Sequence, residues 1–323
     1  MDRPVVWTEV PLAPDAAGRL AAIAEVVVDP AGERLSGADV AIIGAAYVNA
    51  GFLTRAGPNL KLVVRHGIGY DRVDVDTCTA AGVLAANTPD GPTESTAEHA
   101  VTLLLALAKR IQRSGAALRA GERPTRLELQ GIEVRGRTVG IVGFGRIGRR
   151  VGEICALGFG MRVLVFDPFA GDTVERYDWA EGVPVLDDLL APSDFVTLHT
   201  SLTPATRHLI GERELRIMPA GAYLINVSRG PVVDEAALIA ALRAGHLAGA
   251  GLDVFDPEPP DGANPLLAMP EVIATPHVAS NTAAGIARMS NGVVDQIIEV
   301  LAGGRPASLL NVDAWPGRLR SGS

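Results

Sequence analysis

Thr138-Val139-Gly140-Ile141-Val142-Gly143-Phe144-Gly145-Arg146-Ile147-Gly148 decides the fold. A β-branched run leads into G-x-G-x-x-G, and Ile147, Val151, Ile154 and Cys155 continue at helical spacing. With 36 Gly among 323 residues, such a hexad arises by chance about 0.4 times. The strand before it and the helix after it therefore carry the reading. Near misses at Gly67, Gly158 and Gly249 lack a third Gly in register. The first Gly, Gly143, permits the tight turn. Gly145 lets a pyrophosphate approach the backbone, and Gly148 lets helix and strand pack closely. The helix N-terminus at Arg146 and Ile147 then offers amides to the anion. Arg146 either touches the pyrophosphate or is solvated. Asp167, 19 residues past Gly148, ends the run Val163-Leu164-Val165-Phe166. A carboxylate there binds a ribose 2′-hydroxyl and repels a 2′-phosphate, so NAD is expected rather than NADP.

Outward from this turn, short apolar runs alternate with helix-spaced segments, which predicts an α/β chain with parallel sheets covered on both faces. Strands are expected at 5–7, 25–28, 40–44, 62–65 and 83–86 in one sheet, and at 138–142, 162–166, 195–198, 222–227, 249–254 and 272–274 in a second. A helix is expected over 93–113, with its centre, 100–108, apolar on nearly all sides and so buried between two bodies or against another subunit. The last helical pattern, 283–301, should carry the chain back to the first sheet. That gives a discontinuous first domain (1–98 and 286–323), a nucleotide domain (99–285) that opens with the connecting helix, and a cleft between them.

Composition narrows the function. The length suits two domains, and 48% hydrophobic with 20% charged residues supplies buried cores. Acidic residues outnumber basic ones, 37 to 29, which argues against nucleic acid as a partner. Two distant thiols, Cys78 and Cys155, make neither a disulfide framework nor a zinc spacing. The six His never fall at H-E-x-x-H spacing, and no metal is expected. Residues 1–10 lack a basic-then-apolar leader, and the longest apolar run is about half of a membrane span. A soluble, cytoplasmic protein is expected.

Hydride transfer with a nicotinamide needs a group that moves the hydroxyl proton and a cation that holds an oxygenated substrate. Arg229, Glu258 and His277 each sit just past an expected strand, where open α/β sheets bind ligands. The Arg229 fork suits a carboxylate beside a carbonyl. Glu258, in a Pro-stiffened segment, would favour the imidazolium of His277 and keep a proton ready for a nascent alkoxide. A flanking cation, a solvated acid and a turn histidine remain the plain alternatives.

Four motifs in order resemble the D-2-hydroxyacid dehydrogenase family: Arg65-His66-Gly67-Ile68-Gly69-Tyr70-Asp71, Asn87-Thr88-Pro89-Asp90-Gly91 with Glu98-His99, Asn226-Val227-Ser228-Arg229-Gly230, and Thr275-Pro276-His277-Val278-Ala279. The resemblance implies a Rossmann NAD-binding domain, a flavodoxin-like substrate domain and commonly a homodimer. It implies that Gly67 and Ile68 amides, with Arg65 and Gly69 in the same loop, hold the substrate carboxylate beside Arg229, while His277 and Glu258 handle the proton. It further implies that Asp253 receives the nicotinamide carboxamide and that Thr96, His199, Thr206, Val227 and Ser280 line the cofactor pocket. The family often has Pro two residues after His199, where this chain has Ser201, so a looser loop is expected. The substrate would be a small D-2-hydroxy or 2-keto acid. Another function class stays open: a corepressor-like module that senses NAD(H) without turnover.

Overall fold

The computed structural model describes residues 3–315, and the chain divides into two compact units. The boundaries fall after Thr93 and after Ser280, five residues before the expected ones at each junction.

The first unit joins the N-terminal stretch to the segment from Asn281 onward. Its strands are β1 (Val5–Thr8), β2 (Glu25–Val28), β3 (Val40–Ile43), β4 (Leu62–Arg65) and β5 (Leu84–Ala86), all parallel in the order β2-β1-β3-β4-β5. Side-chain alternation splits the sheet into two buried faces. Val6, Val40, Ile42, Leu62 and Val64 pack with Leu20, Val293, Val294 and Ile297, whereas Trp7, Ala41, Ile43 and Val63 pack with Phe52, Val73 and Cys78. The helix Ala283–Leu301 packs in this unit through Val293, Val294 and Ile297. The segment after it covers the β5 edge: Asn311 accepts from Ala85 N and donates to Val83 O, both at 2.8 Å. Residues 316–323, assigned to this domain from sequence, lie outside the described residues.

The second unit carries β6 (Thr138–Val142), β7 (Arg162–Phe166), β8 (Ala180–Gly182), β9 (Phe195–Leu198), β10 (Tyr223–Asn226), β11 (Gly249–Leu252) and β12 (Val272–Ala274). They form one parallel sheet in the order β12-β11-β10-β9-β6-β7-β8. Strand β8 was not expected, because Ala-Glu-Gly has no apolar run and pairs only as an edge. The single helix expected over 93–113 is two, Thr93–Ala108 and Ile111–Arg119. Arg110, at φ 51°, breaks the ladder between them, and its Nη1 donates to Glu128 O at 3.1 Å. The centre of the first helix, 100–108, is apolar except for exposed Thr102. Ala97, Ala100, Val101, Leu103, Leu104, Leu107 and Ala108 are buried in the unit's own core, while Glu98 and Thr102 are exposed. Among the described residues, no helix is long and apolar enough to cross a membrane.

Candidate active site

The strand order reverses direction at β6 and β9, and ligands of open parallel sheets bind at the carboxyl ends of such a pair. Gly143 leaves β6 with φ 95°, and a Cβ there would lie 2.8 Å from the backbone C and O of His199, which leaves β9. A Cβ on Gly148 would meet Gly143 O at 2.1 Å, so helix and turn touch through backbone alone. At Gly145 the opposite holds: an added Cβ meets nothing within 4 Å. Gly145 begins the helix Arg146–Glu153 with no side-chain cap, so its first amides face outward beside exposed Arg146 and half-buried Ile147.

Across from that helix start, the shielded Nδ1 of His199 and Oγ1 of Thr200 have no hydrogen-bond partner among the described residues. Burial pushes the His199 imidazole down to about 3, so it is neutral, with Nε2 3.0 Å from Thr197 Oγ1. Asp167 closes the turn from the β7 side. Its Oδ2 accepts from Phe144 N at 2.7 Å and its Oδ1 from Phe169 N at 2.8 Å, which leaves lone pairs for ribose hydroxyls. An uncapped helix start, an open glycine, two orphaned polar atoms and a carboxylate suit a dinucleotide. Thr206 is used locally: its hydroxyl donates to Ser201 O at 2.7 Å and accepts from Thr203 N at 2.8 Å. The loop that Ser201 was expected to loosen is therefore tied.

Farther along the carboxyl edge, Asn226 at the end of β10 shapes the turn that carries Arg229. Its Oδ1 accepts from Ser228 N and Oγ, and its Nδ2 donates to Arg229 O at 2.8 Å. Arg229 is half-buried and its Nη1 donates to Ser228 O at 2.7 Å. The next residue, Gly230, has no room for a Cβ, which would lie 1.9 Å from Phe255 O. The Arg229 turn and the 253–258 segment are thereby packed backbone to backbone. Glu235 fixes that segment's far end, accepting from Asp256 N at 2.7 Å and Asn264 Nδ2 at 2.9 Å.

Glu258 and His277 meet there. Oε1 of Glu258 lies 2.5 Å from Nδ1 of His277, whose side chain is 40% exposed. The His277 backbone is left-handed, φ 54°, an uncommon state for a residue other than Gly. Asp253 holds it so. The Asp253 carbonyl accepts from His277 N at 2.8 Å, and its carboxylate accepts from Thr275 Oγ1 (2.6 Å), Val278 N (2.9 Å) and Ala279 N (2.9 Å). That carboxylate is fully buried, with a lone pair left on Oδ2. His99 Nε2 lies 3.0 Å from Thr275 Oγ1. Since the Thr275 proton goes to Asp253, His99 is the donor. Thr96 and Val227 are buried, and Ser280 is half-buried at the end of the unit. Asn226, Thr275 and His99 stand inside the quoted motifs without a role assigned to them there, and Glu235 stands outside; a polar residue within a motif is the signal for the first three.

In the first unit, the 65–69 loop follows β4. Arg65 faces inward and donates to three carbonyls, Ile43 (3.2 Å), His66 (2.6 Å) and Gly69 (3.1 Å). It shapes the loop rather than reaching out of it. The Gly67 N–H, expected to hold substrate, donates to Thr88 Oγ1 at 2.8 Å and Arg65 O at 3.0 Å. The loop donors that remain without a partner among the described residues are the amides of Ile68 and Gly69.

Residues 101–279 match the family model described as D-isomer specific 2-hydroxyacid dehydrogenase, NAD binding domain. A glyoxylate reductase of Korarchaeum cryptofilum is 43% identical over 79% of this chain and 77% of its own length. The chain belongs to the D-isomer specific 2-hydroxyacid dehydrogenase family. As a family member it is an NAD-dependent 2-hydroxyacid dehydrogenase. A D-3-phosphoglycerate dehydrogenase of Methanocaldococcus jannaschii is 36% identical over 88% of this chain, but the match spans 54% of that longer protein. The crystal structure of a D-lactate dehydrogenase from Aquifex aeolicus, complexed with NAD and lactic acid, superposes with TM-score 0.83 at 29% identity, covering 97% of this chain and 98% of that one. The two parallel-sheet domains are those of this dehydrogenase's structural relatives.

Proposed function

We propose that this dehydrogenase interconverts a small D-2-hydroxy acid and its 2-keto acid with His277 as proton donor and acceptor, Glu258 as its partner and Arg229 as the cation on the substrate. The carrying observation is the 2.5 Å Nδ1–Oε1 contact, which occupies one ring nitrogen and leaves Nε2 for substrate. NAD bound at the 143–148 turn supplies or accepts the hydride. The chain does the rest. His277 Nε2 gives a proton to the substrate oxygen in reduction and takes it back in oxidation, while Glu258 offsets the imidazolium charge whenever the ring is protonated. The Arg229 guanidinium polarises the carbonyl and binds the neighbouring carboxylate. In the first unit, the Ile68 and Gly69 amides, rather than that of Gly67, are the donors offered to a substrate carboxylate, and Arg65 maintains their loop. Oδ2 of Asp253 is the acceptor left for a carboxamide.

Gly143, Gly145 and Gly148 form the pyrophosphate turn, with Arg146, Ile147, His199 and Thr206 around it and Asp167 at the ribose. Exposed Ile111, Leu118 and Leu127 support a homodimer, checked by light scattering. Two buried thiols are in keeping with a reducing cytoplasm. The test of the catalytic reading is NADH oxidation with glyoxylate, pyruvate, hydroxypyruvate and longer 2-keto acids, repeated with His277→Ala. Turnover should fall by roughly 10²- to 10⁴-fold; an unchanged rate removes His277 from the chemistry. Tight NADH binding with no turnover on the whole panel would instead identify a sensing module.

A further inference from the structure

The first unit has its own point of reversal, between β1 and β3, the place where a 2-1-3-4-5 sheet opens a crevice for ligands. Its occupant is a side chain of this protein. Glu9 follows β1, and its Oε2 accepts three successive amides that follow β3: Gly44 N at 2.6 Å, Ala45 N at 2.8 Å and Ala46 N at 3.0 Å. Consecutive converging amides of this kind form an anion seat. The chain fills it with its own carboxylate.

At the neighbouring strand end the side-chain cation is turned toward backbone carbonyls. Ile43 pairs with Arg65, so the loop that carries the Glu9 seat and the 65–69 loop leave adjacent strands, one strand spacing, about 5 Å, apart at their starts. Arg65 is turned onto its three carbonyls. His66, next to it, is held down at about 4 by burial and by the Arg65 charge, and its Nε2 lies 3.0 Å from Ser290 Oγ. Arg72, on the outer side of the 44–47 loop, donates to Ala45 O at 2.8 Å and lies over the Tyr47 ring.

We propose that Glu9 is a specificity-determining residue that restricts the substrate to 2-keto acids whose carboxylate is their sole anionic group, because it fills the amide seat where a distal phosphate or second carboxylate would bind. This rests on the 2-keto acid reading above, with Ile68 and Gly69 taking the substrate carboxylate.

The experiment compares kcat/KM for pyruvate and hydroxypyruvate with that for phosphohydroxypyruvate and 2-oxoglutarate, in wild type and Glu9→Gln. Glutamine keeps an oxygen for the amides but removes the charge. The wild type should favour the monoanionic acids by roughly a hundredfold or more, and Glu9→Gln should shrink that ratio by at least about tenfold, mostly through KM. Glu9→Ala, which empties the seat, should shrink it further. Equal use of phosphohydroxypyruvate and hydroxypyruvate by the wild type, or an unchanged ratio in both variants, overturns the proposal. The same ratio is read without turnover from thermal protection by each acid in the presence of NADH. Discrimination there with no turnover of any acid sinks the catalytic reading and leaves the role of Glu9 standing.

Discussion

Glu258 and His277 lie 19 residues apart in the chain and 2.5 Å apart in space, with the carboxylate on Nδ1 and the ring's other nitrogen turned away from it. The pairing is built on backbone: Gly230 brings the Arg229 turn onto Phe255, and Asp253 holds His277 in its left-handed conformation. Glu258→Gln keeps the shape and removes the charge. We expect kcat to fall by roughly 10- to 100-fold, less than for His277→Ala, with the KM for NADH within a factor of about three. Steady-state kinetics with the best 2-keto acid checks it, and equal losses in both variants would mean that Glu258 does more than support the ring.

Thr275 links His99 to Asp253, and through Asp253 to the turn that presents His277. Thr275→Val leaves a buried carboxylate oxygen and the His99 N–H short of one partner each. The expected cost is about 1–3 kcal/mol of stability, read as a lower Tm, together with a drop in kcat as His277 loses its fixed position. Thr275→Ser, which restores the hydroxyl, should recover both. If the serine variant fails to recover kcat, the hydroxyl is not what holds the turn.

Much of this arrangement is legible in the chain itself. The β6 turn follows from its glycines, because the backbone there has no room for a Cβ at Gly143 or Gly148, and the places of Asp167, Arg229 and His277 just past strands follow from apolar spacing. What escapes is orientation. Nothing in Arg65-His66-Gly67 tells that the guanidinium turns onto Ile43 O as well as two carbonyls of its own loop or that Gly67 gives its amide to Thr88, since Ile43 and Thr88 come from other parts of the chain. The break at Arg110 escapes for a similar reason: residues 93–113 have helical periodicity throughout, and the groups that meet the break, Ile132 N on Ala108 O and Glu128 O on Arg110, come from later in the chain.

The three glycines of the nucleotide turn predict separable outcomes. Gly145→Ala has open space for its methyl, so Tm should stay within about 2 °C while the Kd for NADH rises by roughly tenfold or more, because the methyl stands where the pyrophosphate approaches. Gly143→Ala sets a methyl against the His199 backbone at positive φ and should cost about 1–3 kcal/mol even without cofactor. Fluorescence titration with NADH and thermal melts of the apoprotein distinguish them. A Gly145→Ala protein with unaltered NADH affinity would contradict the placement of the pyrophosphate.

Asp167 sets cofactor choice by charge. Asp167→Ser keeps a hydroxyl for the ribose and removes the repulsion, so the ratio of kcat/KM for NADPH to that for NADH should rise by roughly tenfold or more. The variant also loses the acceptor for Phe144 N and Phe169 N, so a small loss of Tm is expected alongside. A ratio that does not move would place the ribose elsewhere.

The two depressed imidazoles give the protein a defined acid response. His66 is lowered from 6.5 to about 4, chiefly by burial and then by Arg65, and His199 to about 3 by burial. Both are neutral when folded and take up a proton when unfolded, so below pH 6.5 the unfolded state binds more protons and stability falls with pH. A tenfold difference in proton affinity between the two states corresponds to about 1.4 kcal/mol, which makes roughly 3 kcal/mol the upper bound for His66, reached as pH drops to 4. Carboxylates such as Asp29 and Asp74, lowered by hydrogen bonds, lose their contribution nearer their own low range. The interval from pH 6.5 to 5 therefore isolates the histidines. His66→Gln, which can still bond Ser290, should flatten the decline in urea-unfolding free energy across that interval, and His199→Gln should do the same. A wild-type stability that stays level from pH 7 to 5 would show that these rings are not buried neutral.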